Sequence, residues 1–397
     1  MTTLAAFLAD AARRDPYPLY AEARRASPVV GDAVTGAWAL FDHESVKRAL
    51  LDHDAFGSAV TPPTGKAPDW LVFTDPPRHS KLRAIIARAF TPRAIAALEP
   101  RMRQLSRALL APHLERGHFD LVVDYATPLP VLVIAEMMGI PEVDRGSFVR
   151  WSEAIVNLSY SITGGEAAAL AIASHAAAKE EMSAYVDELV ARRRVEPRDD
   201  LLTRLVEAEV EGERLAPDDL LGFFQLLLVA GTETTTNLVD LAVLTLLEHP
   251  RALERVRAAP SALVPSVIEE VLRYRSPAQV AFRETKRDVV MHGRTIPRGA
   301  FVLAFVGSAN RDPSAFADPD RFDVTRAPNP HLAFGHGVHF CMGAPLARLE
   351  ARVAIGQLLE RVKGIQLVGD GKWEPRKGLH VHGPTRLPIR FVPQRGA

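Results

Sequence analysis

Four groups of residues in this 397-residue chain have the types and spacing for chemistry. The first surrounds the only cysteine, Cys341, within Phe334-Gly335-His336-Gly337-Val338-His339-Phe340-Cys341-Met342-Gly343. A free cysteine is usually a small buried hydrophobe, whereas a thiolate is a ligand or nucleophile. Gly335, Gly337 and Gly343 remove side chains on both flanks of the sulfur, as a large flat group pressed against backbone would require. Ala344-Pro345-Leu346 then opens a helix, and a thiol just before a helix N-terminus favours the thiolate. The second group is Ala230-Gly231-Thr232-Glu233-Thr234-Thr235, mostly poorer helix formers than the leucines around them. Glu233 and Thr234 offer a carboxyl and a hydroxyl that could order a water or pass a proton. The alternative is a kink whose hydroxyls bond back to the preceding turn. His79 and Arg83, the third group, are four apart on one helical face and either share an anion or join Arg78 and Lys81 in a solvated basic face. The fourth, Glu270 and Arg273, is an i, i+3 pair of a kind that is common and weak on a surface.

These groups need positioning elements. Up to about residue 70, helical patterns (Tyr17 to Ala26, Glu44 to Leu51) alternate with short apolar runs such as Ala37 to Phe41, which predicts a small sheet beside helices. Gly57 to Pro68 reads as a functional loop, followed by Trp70, Leu71, Val72 and Phe73, which pack in the core or line a pocket. Asp75-Pro76-Pro77 opens the helix of His79 and Arg83, and Phe90-Thr91-Pro92 is a stop and restart. Ala94 to Glu209 is helical almost throughout, with breaks at prolines and no strand-like alternation. Leu220 to Leu247 reads as a helix buried all round. Its rival, a membrane span, is opposed by Glu233, Asn237 and Asp240, because carboxylates in lipid cost about 2.5–3.5 kcal/mol each. Ser266 to Tyr274 is a further helix. Gln279 to Arg283, Val289 to His292 and Phe301 to Val306 are short strands, residues 309–332 an irregular meander, and Ile365 to Val392 hairpin-like.

Composition excludes some partners and compartments. Lys plus Arg equals Asp plus Glu at 48 each, so no global charge points to nucleic acid or an anionic membrane. One cysteine cannot close an intramolecular disulfide, which makes a reducing cytoplasm the expected setting. The first twenty residues lack the pattern of a signal peptide or an anchor.

With these pieces assembled, the sequence resembles the cytochrome P-450 family of haem-thiolate monooxygenases in its soluble bacterial form. The resemblance spans nearly the whole chain and rests on the Ala230–Thr235 motif, Glu270-x-x-Arg273 and the Phe334–Gly343 loop, in the family's order, with Ala309-Asn310-Arg311-Asp312-Pro313 and Leu346-Ala347-Arg348. It implies a mainly α fold with small β-sheets (α+β), a triangular helical prism with haem b between a long central helix and the cysteine loop. It implies one domain: a mixed part to about residue 70, a helical body over about 75–275, and a β and cysteine-loop region over about 276–397. Carried over residue by residue, Cys341 is the axial iron ligand, with Phe334, Gly335 and Gly343 shaping the loop. Ala230 and Gly231 lie against the haem, and His79, Arg83, Arg283 and His339 contact its propionates. Glu270 and Arg273 lock the meander behind the loop, and Thr234 with Glu233 delivers protons to dioxygen. A thiolate ligand favours O–O cleavage.

The same resemblance implies electrons from NAD(P)H through a ferredoxin reductase and a ferredoxin, since a single cysteine cannot hold a cluster in this chain. Arg348 and Arg352 are either the docking cations for an acidic ferredoxin or solvated arginines. Trp70, Leu71, Val72, Leu226, Val229, Ala230, Val280, Ala281 and His382 are the expected pocket lining, and their largely apolar character predicts a hydrophobic substrate: lipid, terpenoid, steroid or polyketide. A cytoplasmic monomer is expected. Rival readings are a zinc site of His331, His336, His339 and Cys341, opposed by its ligand spacing, a peroxide-driven peroxygenase, and a haem-binding sensor. The Glu233–Thr234 pair argues against the last two.

Overall fold

The computed structural model describes residues 4–33, 35–60, 70–159 and 166–394, so most of the loop from Gly57 to Pro68 lies outside the described residues. The helices are, in chain order, α1 (Asp10–Arg14), α2 (Tyr17–Ala26), α3 (His43–Leu51), α4 (Arg78–Ala89) and α5 (Pro92–Ala96). There follow α6 (Glu99–Leu114), α7 (Pro128–Met137), α8 (Arg145–Ser159), α9 (Glu166–Val195) and α10 (Leu201–Glu207). The last five are α11 (Pro217–Glu248), α12 (Pro250–Ala258), α13 (Pro260–Tyr274), α14 (Val306–Ala309) and α15 (Ala344–Arg361). Local chemistry sets many of the starts. Asp42 caps α3 by accepting the Ser45 N–H, and Thr91 caps α5 by accepting that of Ala94. Proline occupies the first turn of α2, α5, α12, α13 and α15, where its missing N–H costs nothing. None of the described helices is long and apolar enough to cross a membrane.

The chain divides into two compact units. The first takes residues 1–57, 101–129 and 234–397 and holds β1 (Val29–Gly31), β2 (Trp38–Leu40), β3 (Phe56–Gly57), β4 (His118–Asp120) and β5 (Val280–Thr285). It also holds β6 (Val289–Met291), β7 (Arg294–Ile296), β8 (Phe301–Phe305), β9 (Val362–Leu367) and β10 (Pro388–Pro393). One sheet runs β1-β2-β8-β5-β3, with β2 and β8 parallel and the other pairs antiparallel. Its two faces bury different clusters. Val29, Leu40, Phe56, Val302 and Ala304 lie on one, and Phe7, Tyr20, Phe41, Leu303 and Phe305 on the other, as the period of two requires.

A second sheet, β4-β10-β9, places one three-residue strand in the stretch expected to be helical almost throughout. His118–Asp120 pairs with β10, Ile389 facing Phe119. Three residues are too few to show alternation, and the partner strand is remote in sequence. β9 and β10 do pair antiparallel, but residues 368–387 intervene, so they are no tight hairpin.

The second unit takes residues 58–100 and 130–233. Its core carries Phe148, Trp151 and Phe224, with the Phe148 and Phe224 ring centroids 5.3 Å apart. Arg193 and Asp200, at 3 % and 6 % side-chain exposure, form an ion pair of 2.6 Å. Arg193 also donates to the Gly139 carbonyl. The remaining carboxylate oxygen of Asp200 accepts the Thr203 N–H and caps α10, so this buried charge is bonded on both sides.

Candidate active site

Cys341 lies in the first unit, in an exposed stretch ahead of α15. Its N–H donates to the Phe334 carbonyl at 2.9 Å, and its own carbonyl receives the Ala344 N–H that opens the helix. Gly335 and Gly337 take φ of +74° and +71°, which L side chains rarely adopt. A Cβ on Gly337 would come within 3.2 Å of the Leu50 carbonyl in α3, so this glycine answers to the turn and to a neighbouring helix rather than to a cofactor. A Cβ on Gly343 would lie 3.7 Å from the Cys341 sulfur, an ordinary contact. Phe334 and His339 are half-buried on the same loop. Arg283 sits on β5 at 7 % exposure, with Nη1 donating to its neighbour's carbonyl.

Behind the loop, Glu270 and Arg273 of α13 are 1 % and 0 % exposed and joined at 2.8 and 2.9 Å. Arg273 also donates to the carbonyls of Asn310, Pro319 and Arg321, while Glu270 accepts from the Asp323 N–H, Arg326 and Asn329. Nearly every hydrogen bond of the pair therefore ends on residues 310–329. The Asn310 side chain continues the chain of bonds by donating to Ser276 and accepting the Leu332 N–H, two residues before Phe334.

The α11 helix supplies the other candidate surface. From Leu220 to Leu246 every residue is buried except Leu226, Leu227, Ala230, Gly231 and Thr234. These recur at i, i+1, i+4, i+5 and i+8, a single stripe at the helical period. Ala230 is exposed and Thr234 half-buried, whereas Glu233 is 6 % exposed. The expectation of a helix buried all round is thus wrong along one line, where a group outside the polypeptide can lie. Gly231 serves packing as well: an added Cβ would meet the Ile134 Cδ1 at 2.8 Å.

In the second unit, His79 is 1 % exposed and Arg83 half-buried, both on α4. Arg78 pairs with Asp219 and Lys81 with Glu213, so the adjoining basic residues are used by surface ion pairs. Trp70 is buried and donates from its indole to Gln225 at 3.0 Å, Leu71 is buried, and Val72 is exposed. Among the other pocket candidates, Leu226 and Ala281 are half-buried, while Val229 and Val280 are buried. His382 is a correction. It is 2 % exposed, packed against Tyr17 and Trp373 with Nδ1 toward the Arg13 carbonyl, and burial holds its pKa down to about 3. It is a neutral core group.

Three acids have no site role in the sequence reading. Glu269, beside Glu270, binds Arg348 through two bonds of 2.7 and 2.8 Å and accepts from His331 at 3.2 Å. Burial opposes its ionisation, but the bonds from Arg348 and His331 prevail and lower its pKa to about 2. Arg348 is accordingly engaged while its side chain stays 37% exposed, and Arg352 is exposed. Glu350 on α15 is buried and pushed up to about 8 despite a hydrogen bond with Thr235. Asp240 is wholly buried beyond Thr234, and its carboxyl is raised well above the usual range by burial. A carboxylate inside an apolar helical run was the available signal for Asp240.

The sequence model of the family described as Cytochrome P450 matches residues 166–375. The chain is 41% identical to cytochrome P450 107B1 of Saccharopolyspora erythraea over 96% of each protein. It is 37% identical to 6-deoxyerythronolide B hydroxylase of the same organism over 98% of this chain and all of that one. The crystal structure of CYP109E1 from Bacillus megaterium in complex with testosterone superposes with a TM-score of 0.86 at 35% identity, covering 95% and 99% of the two chains. The chain belongs to the cytochrome P450 family: it is a haem-iron monooxygenase of bacterial type, acting with dioxygen on a small molecule. Its residues fit the haem. The lone thiol is exposed where free cysteines are normally buried, and α11 leaves one stripe of small and apolar residues uncovered.

Proposed function

We propose that the protein hydroxylates or epoxidises a hydrophobic molecule of polyketide or steroid size, with electrons from NAD(P)H delivered by a ferredoxin reductase and a ferredoxin. The observation that carries this reading is the α11 stripe, in which apolar Leu226, Leu227 and Ala230 lead along one face to the hydroxyl of Thr234. The 6-deoxyerythronolide B hydroxylase relative and the testosterone-bound neighbour support a substrate of that size and polarity. Bound haem supplies dioxygen activation at an iron whose thiolate ligand favours O–O cleavage.

The chain's own residues do the rest. Cys341 provides the thiolate from a loop whose backbone is pinned at Phe334. Arg283 and His339 are the propionate contacts of the first unit in this reading. Thr234 Oγ passes the proton and Glu233, the preceding residue, supplies it, so that one oxygen atom departs as water. Exposed Arg352 serves the acidic ferredoxin, and the enzyme works as a cytoplasmic monomer. The test is turnover of a macrolide aglycone and a steroid under isotopic dioxygen with NADPH, ferredoxin and reductase. One labelled atom per product is expected. Product labelled from water, or full activity of Cys341→Ala, overturns the reading.

A further inference from the structure

The Arg348 guanidinium, on the helix that follows the cysteine loop, makes both an ion pair and an aromatic contact. Its edge forms the two-bond fork with Glu269. Its face lies over the Phe334 ring, 4.5 Å from the centroid. The carbonyl of that same Phe334 holds the Cys341 N–H. His331 closes the cluster from the other side. The Ala333 N–H donates to its Nδ1 at 3.3 Å, and its Nε2 lies 3.2 Å from Glu269. Arg348 and Glu269 are the ion pair of the cluster, with the positive partner on the helix that begins three residues after Cys341. The charge on Cys341 is felt at Arg348, adding to the stabilisation of its guanidinium that Glu269 dominates.

We propose that Arg348 is a positioning residue of the thiolate centre: forked to Glu269 and stacked on Phe334, it braces the cysteine loop and keeps one positive charge beside Cys341. This rests on Cys341 being the axial ligand. Lysine could supply the charge but neither the planar fork nor the stacked face. A cation near a thiolate favours the anion and draws electron density from it. Removing Arg348 leaves the Glu269 charge unmatched, and removing the Glu269 charge leaves Arg348 unmatched. The two changes act on the centre with opposite sign, whereas the loss of a merely structural brace would damage it in the same direction from either end.

The test uses the haem-loaded protein and variants Arg348→Gln, Glu269→Gln and their double mutant. The ferric–ferrous potential is measured by spectroelectrochemistry, and the thiolate fraction from the carbon monoxide difference spectrum. The expected result is a more negative potential with more thiol-ligated form in Arg348→Gln, a more positive potential in Glu269→Gln, and a double mutant between them. Arg348→Lys is expected to keep the potential near wild type yet lose haem faster to apomyoglobin, and it carries the test with Glu269→Gln if Arg348→Gln does not retain haem. Shifts of equal sign, no shift in either single variant, or unchanged haem loss in Arg348→Lys overturn the proposal. A wild type without the thiolate spectrum overturns the Cys341 assignment and this proposal together; a wild type with that spectrum and unmoved potentials overturns this proposal alone.

Discussion

At the scale of single residues, each candidate group has a separable signature. Thr234→Ala is expected to consume NADPH and dioxygen while forming several-fold less product per dioxygen, because the hydroxyl proposed to pass protons is gone. Comparing dioxygen uptake with product measures this, and full coupling would remove Thr234 from its role. Glu350 makes a different prediction, about stability. Its pKa is about 8 in the folded protein against 4.5 for an ordinary glutamate, so the folded state holds its proton more tightly. The stability this contributes is complete below pH 4.5 and is lost as the pH rises through 8. Glu350→Gln should therefore raise the melting temperature at pH 8.5 by several degrees relative to wild type and change it less at pH 5. Equal shifts at the two pH values would show that Glu350 already ionises as an ordinary carboxylate. The glycines around Cys341 were legible as a special backbone, but their reason was not, because the approach of α3 to Gly337 is a tertiary contact.

At the scale of elements, α13 is the member to which the cysteine region is tied. Glu270→Ala strands the buried Arg273 guanidinium and removes the acceptor for three groups of the meander. Breaking one side of a buried pair costs about 3–5 kcal/mol, so denaturant unfolding should register a loss of that size, with haem retention falling alongside. A loss under about 1 kcal/mol would reduce the pair to the surface value that its spacing alone suggested. In α11, Gly231→Ala drives a methyl against Ile134. It should be destabilising by about 1–3 kcal/mol as an overpacked core position and be rescued in part by Ile134→Val. Absence of rescue in a double-mutant cycle would disconnect the two residues. The helices and their starts were readable because caps, prolines and the 3.6-residue period act locally. The exposed stripe was not, since Ala230 looks like any other core alanine until its surroundings are known.

For the whole molecule, His382, Glu269, Glu350 and Asp240 shape the pH–stability curve. His382, at about 3 against an ordinary 6.5, contributes stability present above pH 6.5 and lost as the pH falls toward 3. Glu269, at about 2 against 4.5, does the same between pH 4.5 and 2. Glu350 works in the opposite sense between 4.5 and 8, and Asp240, raised in the same direction, extends the decline. Between about pH 4.5 and 6.5 the His382 and Glu350 slopes cancel and the Asp240 decline remains, so the melting temperature should fall as the pH rises from about 4.5 toward 8, and fall also on acidification below 4.5. A thermal-melt series would register a maximum near pH 8 as a failure of this assignment. The balanced net charge makes any ferredoxin docking a matter of local patches. Under that proposal, rates of reduction by ferredoxin drop with added salt, while rates with a small neutral reductant do not.

By itself the sequence determined the family and the order of its parts. Spacing in one loop, one helix and one i, i+3 pair depends on local geometry, and local geometry is written in consecutive residues. Only the tertiary structure decided which equivalent-looking residues are used and how. It forked Arg348 to Glu269 and left Arg352 exposed, sealed His382 in the core, and uncovered Ala230 while burying Val229 beside it. Each of those outcomes depends on what packs against the residue from distant parts of the chain, and one-dimensional spacing does not contain that partner.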